Sequence, residues 1–156
     1  MAIAITLRQY LEKNGIEYDV LPHAYTTSSM STARSAAIPG GQVAKPVILE
    51  DEEGYLMAVI PATHHIELGS LSQQLHRRLG LATESELATL FNDCELGAIP
   101  PMGSAYGMRV IMDDSLNNAS DIYFESGDHI DLIHVRGDDF RKLNHNAAHG
   151  QFSRHM

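Results

Sequence analysis

Two apolar runs bracket one acidic turn. Lys45-Pro46-Val47-Ile48-Leu49 and Tyr55 to Ile60 flank Asp51-Glu52-Glu53-Gly54, which predicts a short buried strand, a turn and its hairpin partner. A lone hairpin is marginal in water, so the rest of the chain must pack on it. The other elements are short and mixed. Thr6 with Gln9 reads as a capping box, Leu7, Tyr10 and Leu11 form an apolar stripe, and Gly15 stops this first helix. Residues 17–21 alternate like a strand that Pro22 ends, and Ser31 caps a short helix running to Ala37. Helices are expected over 67–78 and 83–91, the latter with a capping box of Thr83 and Glu86. Strands are expected at 108–112, 121–124 and 130–134, and Asp138 caps a last helix over 139–143. There is no internal repeat and no βαβαβ rhythm. The expected class is therefore α+β: one domain over residues 1–143, a curved, barrel-like mixed sheet surrounded by helices. Residues 144–156, with His145, His149 and His155 and few apolar side chains, read as a flexible tail.

With 156 residues the chain can bury a real core without staples. Its one cysteine, Cys94, rules out an internal disulfide and a multi-Cys zinc site and points to a reducing compartment. The start, MAIAITLRQYLEKNG, has no basic segment followed by a long apolar run, so no signal peptide is expected, and no stretch is apolar enough for a membrane span. A cytoplasmic location is expected. Eleven Lys+Arg against twenty Asp+Glu give a net charge of −9, and between Asp113 and Asp139 eight carboxylates face one cation, Arg136. A protein that grips duplex nucleic acid needs a basic face, so DNA binding is not expected. A small polar ligand, or only the tip of a nucleic acid, remains open.

Three segments carry candidate chemistry. Lys45 stands at the mouth of an apolar strand, where a cation either snorkels, pairs with a carboxylate, or reaches a ligand's phosphate, hydroxyl or carboxylate. The loop Gly97-Ala98-Ile99-Pro100-Pro101-Met102-Gly103 is too rich in glycine and proline for regular structure. It is either a connector or a rigid loop whose amides approach a ligand, an arrangement that suits a developing oxyanion. Ser126-Gly127-Asp128-His129 is a hairpin turn that also offers a hydroxyl, a carboxylate and an imidazole. Against these, His64-His65 point to opposite faces of an extended chain, no HExxH or CxxC occurs, and no metal site is expected. Ser104 sits one place too early for a GxSxG elbow, and the acids flanking Cys94 raise a thiol pKa rather than lower it. A chain with no evident nucleophile or metal would act on an intrinsically labile bond.

These segments, in this order and spacing, resemble the YbaK/prolyl-tRNA synthetase-associated editing domains: Val43 to Leu49, Gly97 to Gly103 and Tyr123-Phe124-Glu125-Ser126-Gly127-Asp128-His129. Met57-Ala58-Val59-Ile60-Pro61-Ala62, Leu90 to Glu95 and Ala105-Tyr106-Gly107 are most similar to the freestanding Ala-tRNA(Pro) deacylase group within that family. The resemblance runs from about Thr6 to Leu143. It implies hydrolysis of the ester joining a wrong amino acid to tRNA, with no metal or organic cofactor. By the resemblance Lys45 holds the 3′-terminal adenosine and its phosphate, Gly97 and Pro101 mark the GxxxP loop whose amides face the aminoacyl carbonyl, and His129 lies near the amino-acid pocket. Gly103, Ser126, Gly127 and Asp128 complete those two loops, and Val20, Leu21, Ile38, His64 and Met102 are candidate pocket walls by position. Pro46 departs from the family, in which this position often has a free N–H. The expected partner is the acceptor end of a misacylated tRNA, reached through Lys45 and exposed cations such as Arg77, Arg78 and Arg141. Prolyl-tRNA synthetase or an elongation factor could deliver it. The alternatives are a deacylase for Ser-, Thr- or Cys-charged tRNA, a non-catalytic tRNA- or nucleotide-binding module, and a metal-assisted small-molecule hydrolase.

Overall fold

The computed structural model describes residues 3–25 and 28–156. The predicted hairpin is its centre: β2 (Ala44–Asp51) and β3 (Gly54–Pro61) pair antiparallel along their whole length, with Asp51 opposite Gly54. Asp51 Oδ1 accepts the Glu53 amide at 2.7 Å inside the turn, and Gly54 has φ +129°, a value that L side chains rarely adopt. Ahead of the hairpin come α1 (Ile5–Lys13), β1 (Asp19–Pro22) and α2 (Ser29–Ser35). After it come β4 (His64–Ile66), α3 (Leu68–Leu75), β5 (Gly80–Leu81), α4 (Glu84–Leu90), β6 (Arg109–Asp113), β7 (Asp121–Glu125), β8 (Asp131–Arg136), α5 (Gly137–Leu143), β9 (Ala148–Gly150) and β10 (Ser153–His155).

Among the described residues three sheets form, none of them closed into a barrel. The largest is mixed, in the order β5-β2-β3-β6-β9, with β3, β6 and β9 parallel. A second is β1-β8-β7, all antiparallel, and the third pairs β10 with β4. The class is α+β, as the sequence predicts. Side chains alternate across the large sheet and fill two cores. Ala44, Ile48, Met57, Val59, Val110 and Met112 join α1, α5 and the second sheet on one face. Leu49, Leu56, Ala58, Ile60 and Ile111 join Leu71 of α3 and Phe152 on the other. Burying side chains of this size contributes about 1.5–3 kcal/mol each.

Local caps differ from expectation at three helices. The Thr83–Glu86 box is present, with both reciprocal hydrogen bonds. At α1 the N-cap is Ala4, and the Thr6 amide donates instead to Asp93 Oδ2 at 2.9 Å, so a residue far along the chain supplies the acceptor. At α2 the cap is Ser28, whose hydroxyl accepts the Ser31 amide, and α5 begins after Arg136 rather than at Asp138. The largest difference is in residues 144–156, expected to be a flexible tail. They form β9 and β10, with Phe152 fully buried and its amide donating to Asp113 Oδ1 at 2.9 Å. One aromatic anchor and a distant buried carboxylate order a segment whose composition is polar.

Candidate active site

β2 is paired along its whole length on one edge, by β3, and only in part on the other. The Ala62 amide donates to the Val43 carbonyl at 2.7 Å, which marks 43 and 62 as a hydrogen-bonded pair. Antiparallel pairs alternate, so 45 and 60 are also bonded while 46 and 59 are not. Pro46 therefore forfeits no bond to β3. Its nitrogen faces the other edge, where β5 pairs only with Leu49 and Glu50. Along this edge lies a cavity of about 410 Å³, lined by Lys45, Pro46, Val47 and Ile48 from β2, by Gly97 and Ile99 from the glycine-proline loop, and by Glu125 from the end of β7.

Lys45 is half-buried. Its Nζ donates to the Ala62 carbonyl at 3.5 Å, and no carboxylate of the described residues lies within ion-pair distance. Burial lowers the pKa of this ammonium. Opposite it, the loop is held in a fixed shape. Gly97 has φ +84°. The Ala98 amide is used, donating to the Glu95 carbonyl at 3.1 Å, whereas the amides of Gly97 and Ile99 donate to no described residue. Two residues of the cavity wall thus carry amides free to donate to a ligand.

His129 is buried but lies outside the walls of this cavity. Its Nε2 meets the Leu96 carbonyl at 2.6 Å, one residue before Gly97, and its amide donates to Glu95 Oε2 at 3.2 Å. The Glu95 amide in turn donates to the Gly127 carbonyl at 2.8 Å. The turn from Ser126 to His129 thus clamps the loop that carries Gly97. Asp128 Oδ1 shapes that turn by accepting the amides of Ile130 and Asp131 at 3.0 and 2.8 Å, with the Ser126 hydroxyl at 3.3 Å. Gly127, at φ +111°, lies against α1, where a Cβ would meet that of Ala4 at 2.7 Å. Gly127 and Asp128 line a separate cavity of about 460 Å³ beside Asp93 and Glu95.

The remaining expected site residues are dispersed. Pro101 is buried within the loop, Met102 is fully buried in the main core, and a Cβ on Gly103 would meet Val110 Cγ2 at 2.5 Å. Val20 and Leu21 sit on β1 against Ile133 and Leu132, with Val20 exposed. Ile38 packs with Ala33, Val43 and Ala62. His64 Nδ1 meets Ser153 Oγ at 2.7 Å. None of these lines the cavity of Lys45 and Gly97. Of the three surface cations, Arg77 pairs with Glu53 at 3.0 Å, Arg141 holds Asp138 and the Asn117 carbonyl, and Arg78 is exposed without an ion pair among the described residues. Among the described residues no group of three or more His, Cys, Asp or Glu could hold a metal ion, and no helix is long and apolar enough to cross a membrane.

Sequence reasoning placed Glu125 inside a motif without giving it a role. It is 3% exposed, and Thr32 of α2 donates to its Oε1 at 2.7 Å. Burial pushes its pKa up to about 7; the Thr32 bond opposes this and the nearby Asp128 carboxylate adds to it. The native protein keeps this proton between pH 4.5 and 7 while the unfolded chain releases it, so stability falls as pH rises through that window. The full displacement corresponds to about 3 kcal/mol. Glu125→Gln keeps the Thr32 acceptor and carries no proton to lose. Its melting temperature should rise relative to the unsubstituted protein by roughly 5–10 °C between pH 5 and pH 8, all other titrating groups cancelling in the difference. A pH-independent difference would show that Glu125 titrates normally.

Residues 22–143 match the sequence profile of the aminoacyl-tRNA editing domain. No curated protein matches the chain by sequence. Three solved structures share its fold. One is a candidate trans-editing enzyme for prolyl tRNA synthetase, 20% identical, with TM-score 0.82 and coverage of 97% of this chain and 96% of that one. Another is a scaffold protein used for computational grafting of epitope backbones, 19% identical, TM-score 0.83, with 97% of each chain covered. The third is a candidate signal transduction protein from Marinobacter aquaeolei VT8, 20% identical, TM-score 0.77, where 96% of this chain spans 30% of that one. With its profile matched over most of its length and its three motif segments in order, the chain belongs to the aminoacyl-tRNA editing domain family.

Proposed function

We propose that this protein is a trans-editing deacylase that hydrolyses the ester of a mischarged tRNA, and that its substrate is Ala-tRNA(Pro). The observation that carries the reading is one cavity whose walls join an ammonium, Lys45, to two unused amides, Gly97 and Ile99. The family match supports an aminoacyl ester as the bond attacked.

The chemistry asks little of the protein. The neighbouring ribose hydroxyl already activates the ester and orients a water. The water oxygen adds to the carbonyl carbon, and the carbonyl oxygen takes up negative charge. Amides at Gly97 and Ile99 are placed to stabilise that charge, a contribution of about 2.7–4 kcal/mol for one good donor. Collapse breaks the bond to the ribose oxygen, which takes the proton from the attacking water, and a free amino acid leaves. Lys45 holds the terminal phosphate and ribose, fixing the ester against the loop. Pro101 and His129 act behind the loop as positioning residues. Pro46 offers no donor at the β2 edge, so orientation there falls to Lys45 and the loop.

Selection by size fits the walls. Alanine escapes a prolyl active site because one methylene is worth only about 1–3 kcal/mol. Val47, Ile48 and Ile99 make an apolar space suited to a small side chain. The acidic chain, at net −9, suits contact with the acceptor tip alone, with prolyl-tRNA synthetase or an elongation factor delivering the tRNA. A deacylation panel tests the reading: Ala-, Ser-, Thr- and Cys-charged tRNA(Pro) beside Ala-tRNA(Ala), each with and without excess EDTA. Fastest release from Ala-tRNA(Pro), unchanged by chelator, is the expected result. Preference for another amino acid would reassign the substrate. Loss with EDTA that Zn²⁺ restores would replace this mechanism.

A further inference from the structure

Hydrolysis as set out above leaves Glu125 without a task. Glu125 lines the same cavity as Lys45 and Gly97 and is almost wholly buried. Oε1 is satisfied by Thr32. Oε2 is buried and meets no donor, and no cation of the described residues lies within ion-pair distance of it. Buried acceptors are nearly always paired, and an exception at a cavity wall is a place where a ligand's donor can complete the set.

We propose that Glu125 receives the α-ammonium of the aminoacyl group, so that the cavity distinguishes a free aminoacyl ester from an N-blocked one. This rests on the deacylase reading. The groups match: an aminoacylated acceptor end brings phosphate and one ammonium, and the cavity offers one ammonium, Lys45, and one acidic side chain, Glu125, that can give up its proton to meet a cation. Between them Val47, Ile48, Leu87 and Ile99 give an apolar lining for the side chain of the amino acid. An α-ammonium donates to Oε2 and stabilises the ionised form of a carboxyl that burial keeps protonated up to about pH 7. An acyl or peptidyl group on the same nitrogen removes the positive charge that would stabilise the ionised carboxyl and adds bulk beside it. Peptidyl-tRNA and N-formylated tRNA are thereby spared from hydrolysis by a protein whose chemistry would otherwise tolerate them.

Two stable amides separate this inference from the reading beneath it: 3′-alanylamino-3′-deoxyadenosine 5′-phosphate and its propanoyl counterpart, which lacks only the amine. The protein should bind the alanyl compound about 10-fold or more tightly than the propanoyl one, as a charge-assisted hydrogen bond implies. In Glu125→Gln, which preserves the Thr32 acceptor, the two should bind equally through loss on the alanyl compound alone. Unchanged affinity for the propanoyl compound reports that the variant's cavity is intact. In the unsubstituted protein, N-acetyl-Ala-tRNA(Pro) should be released at least about 10-fold more slowly than Ala-tRNA(Pro), a comparison that needs no variant. Equal binding of the two amides by the unsubstituted protein, no binding of either, or an undiminished preference in Glu125→Gln would overturn the inference. Deacylation of Ala-tRNA(Pro) by a protein blind to the amine sinks this inference and leaves the deacylase. Amine recognition without hydrolysis does the reverse.

Discussion

A folded Gly97→Ala variant is expected to hydrolyse Ala-tRNA(Pro) about 10²–10³ times more slowly while binding it almost normally. In the proposed mechanism the loop's amides act on charge that appears only in the transition state, so losing one lowers kcat and spares KM. The cause is conformational. Gly97 stands at φ +84°, which an alanine holds only at a cost of about 1–2 kcal/mol. Relaxing that strain turns the peptide and with it the N–H. Gly97 is exposed, so there is no core to disrupt, and the melting temperature should fall by only a few degrees. The clamp from His129 Nε2 to the Leu96 carbonyl limits how far the loop can relax, and so ties the effect to Gly97 itself. Normal turnover in a folded variant would make the loop a connector.

Lys45→Ala should fail in the complementary way. The ammonium has one long contact, to the Ala62 carbonyl, and no ion pair among the described residues. Removing it relieves a half-buried charge and costs the fold little, so the melting temperature should stay within a few degrees of the unsubstituted protein. In the proposed mechanism its contribution goes to phosphate and ribose. A charge-assisted contact of about 1.5–3 kcal/mol predicts a loss of roughly 10–150-fold in kcat/KM, carried mainly by KM. Lys45→Arg should recover little, because a planar guanidinium needs more width than a point charge at the strand edge. Turnover near normal in Lys45→Ala would remove this residue from the site. A loss confined to kcat would move it from binding to chemistry.

What the sequence made legible is what local rules determine. The β2–β3 hairpin and the Thr83–Glu86 cap are written within a few residues of themselves, and both stand in the structure. Lys45 and Gly97 were legible as candidates because a cation before an apolar strand and a loop of glycines and prolines each break a local pattern. What failed depends on distant partners. Thr6 looks like a cap, yet its amide is taken by Asp93, 87 residues on. Glu125 looks like an ordinary strand-end acid until Thr32, 93 residues away, is placed on it and the cavity forms beside it. His129 looks like a pocket residue, but its hydrogen bonds run to the loop at 95 and 96. Phe152 could not be read as an anchor without Asp113 to receive its amide.

The proline at the outer edge of β2 also bears on how this molecule keeps company with others. An edge strand with a row of unpaired donors and acceptors invites a stranger's strand to add itself, and a ligand cleft along that edge cannot be sealed without losing its use. Residues 45–47 lie along the cleft, between the Val43–Tyr123 bridge and the bond from the Ala82 amide to the Ile48 carbonyl. Pro46 withdraws the donor that an incoming strand would seek first, and it does so at the register position where the hairpin itself gives up nothing. Pro46 thus leaves an added strand one donor fewer to pair with along the mouth of the cleft.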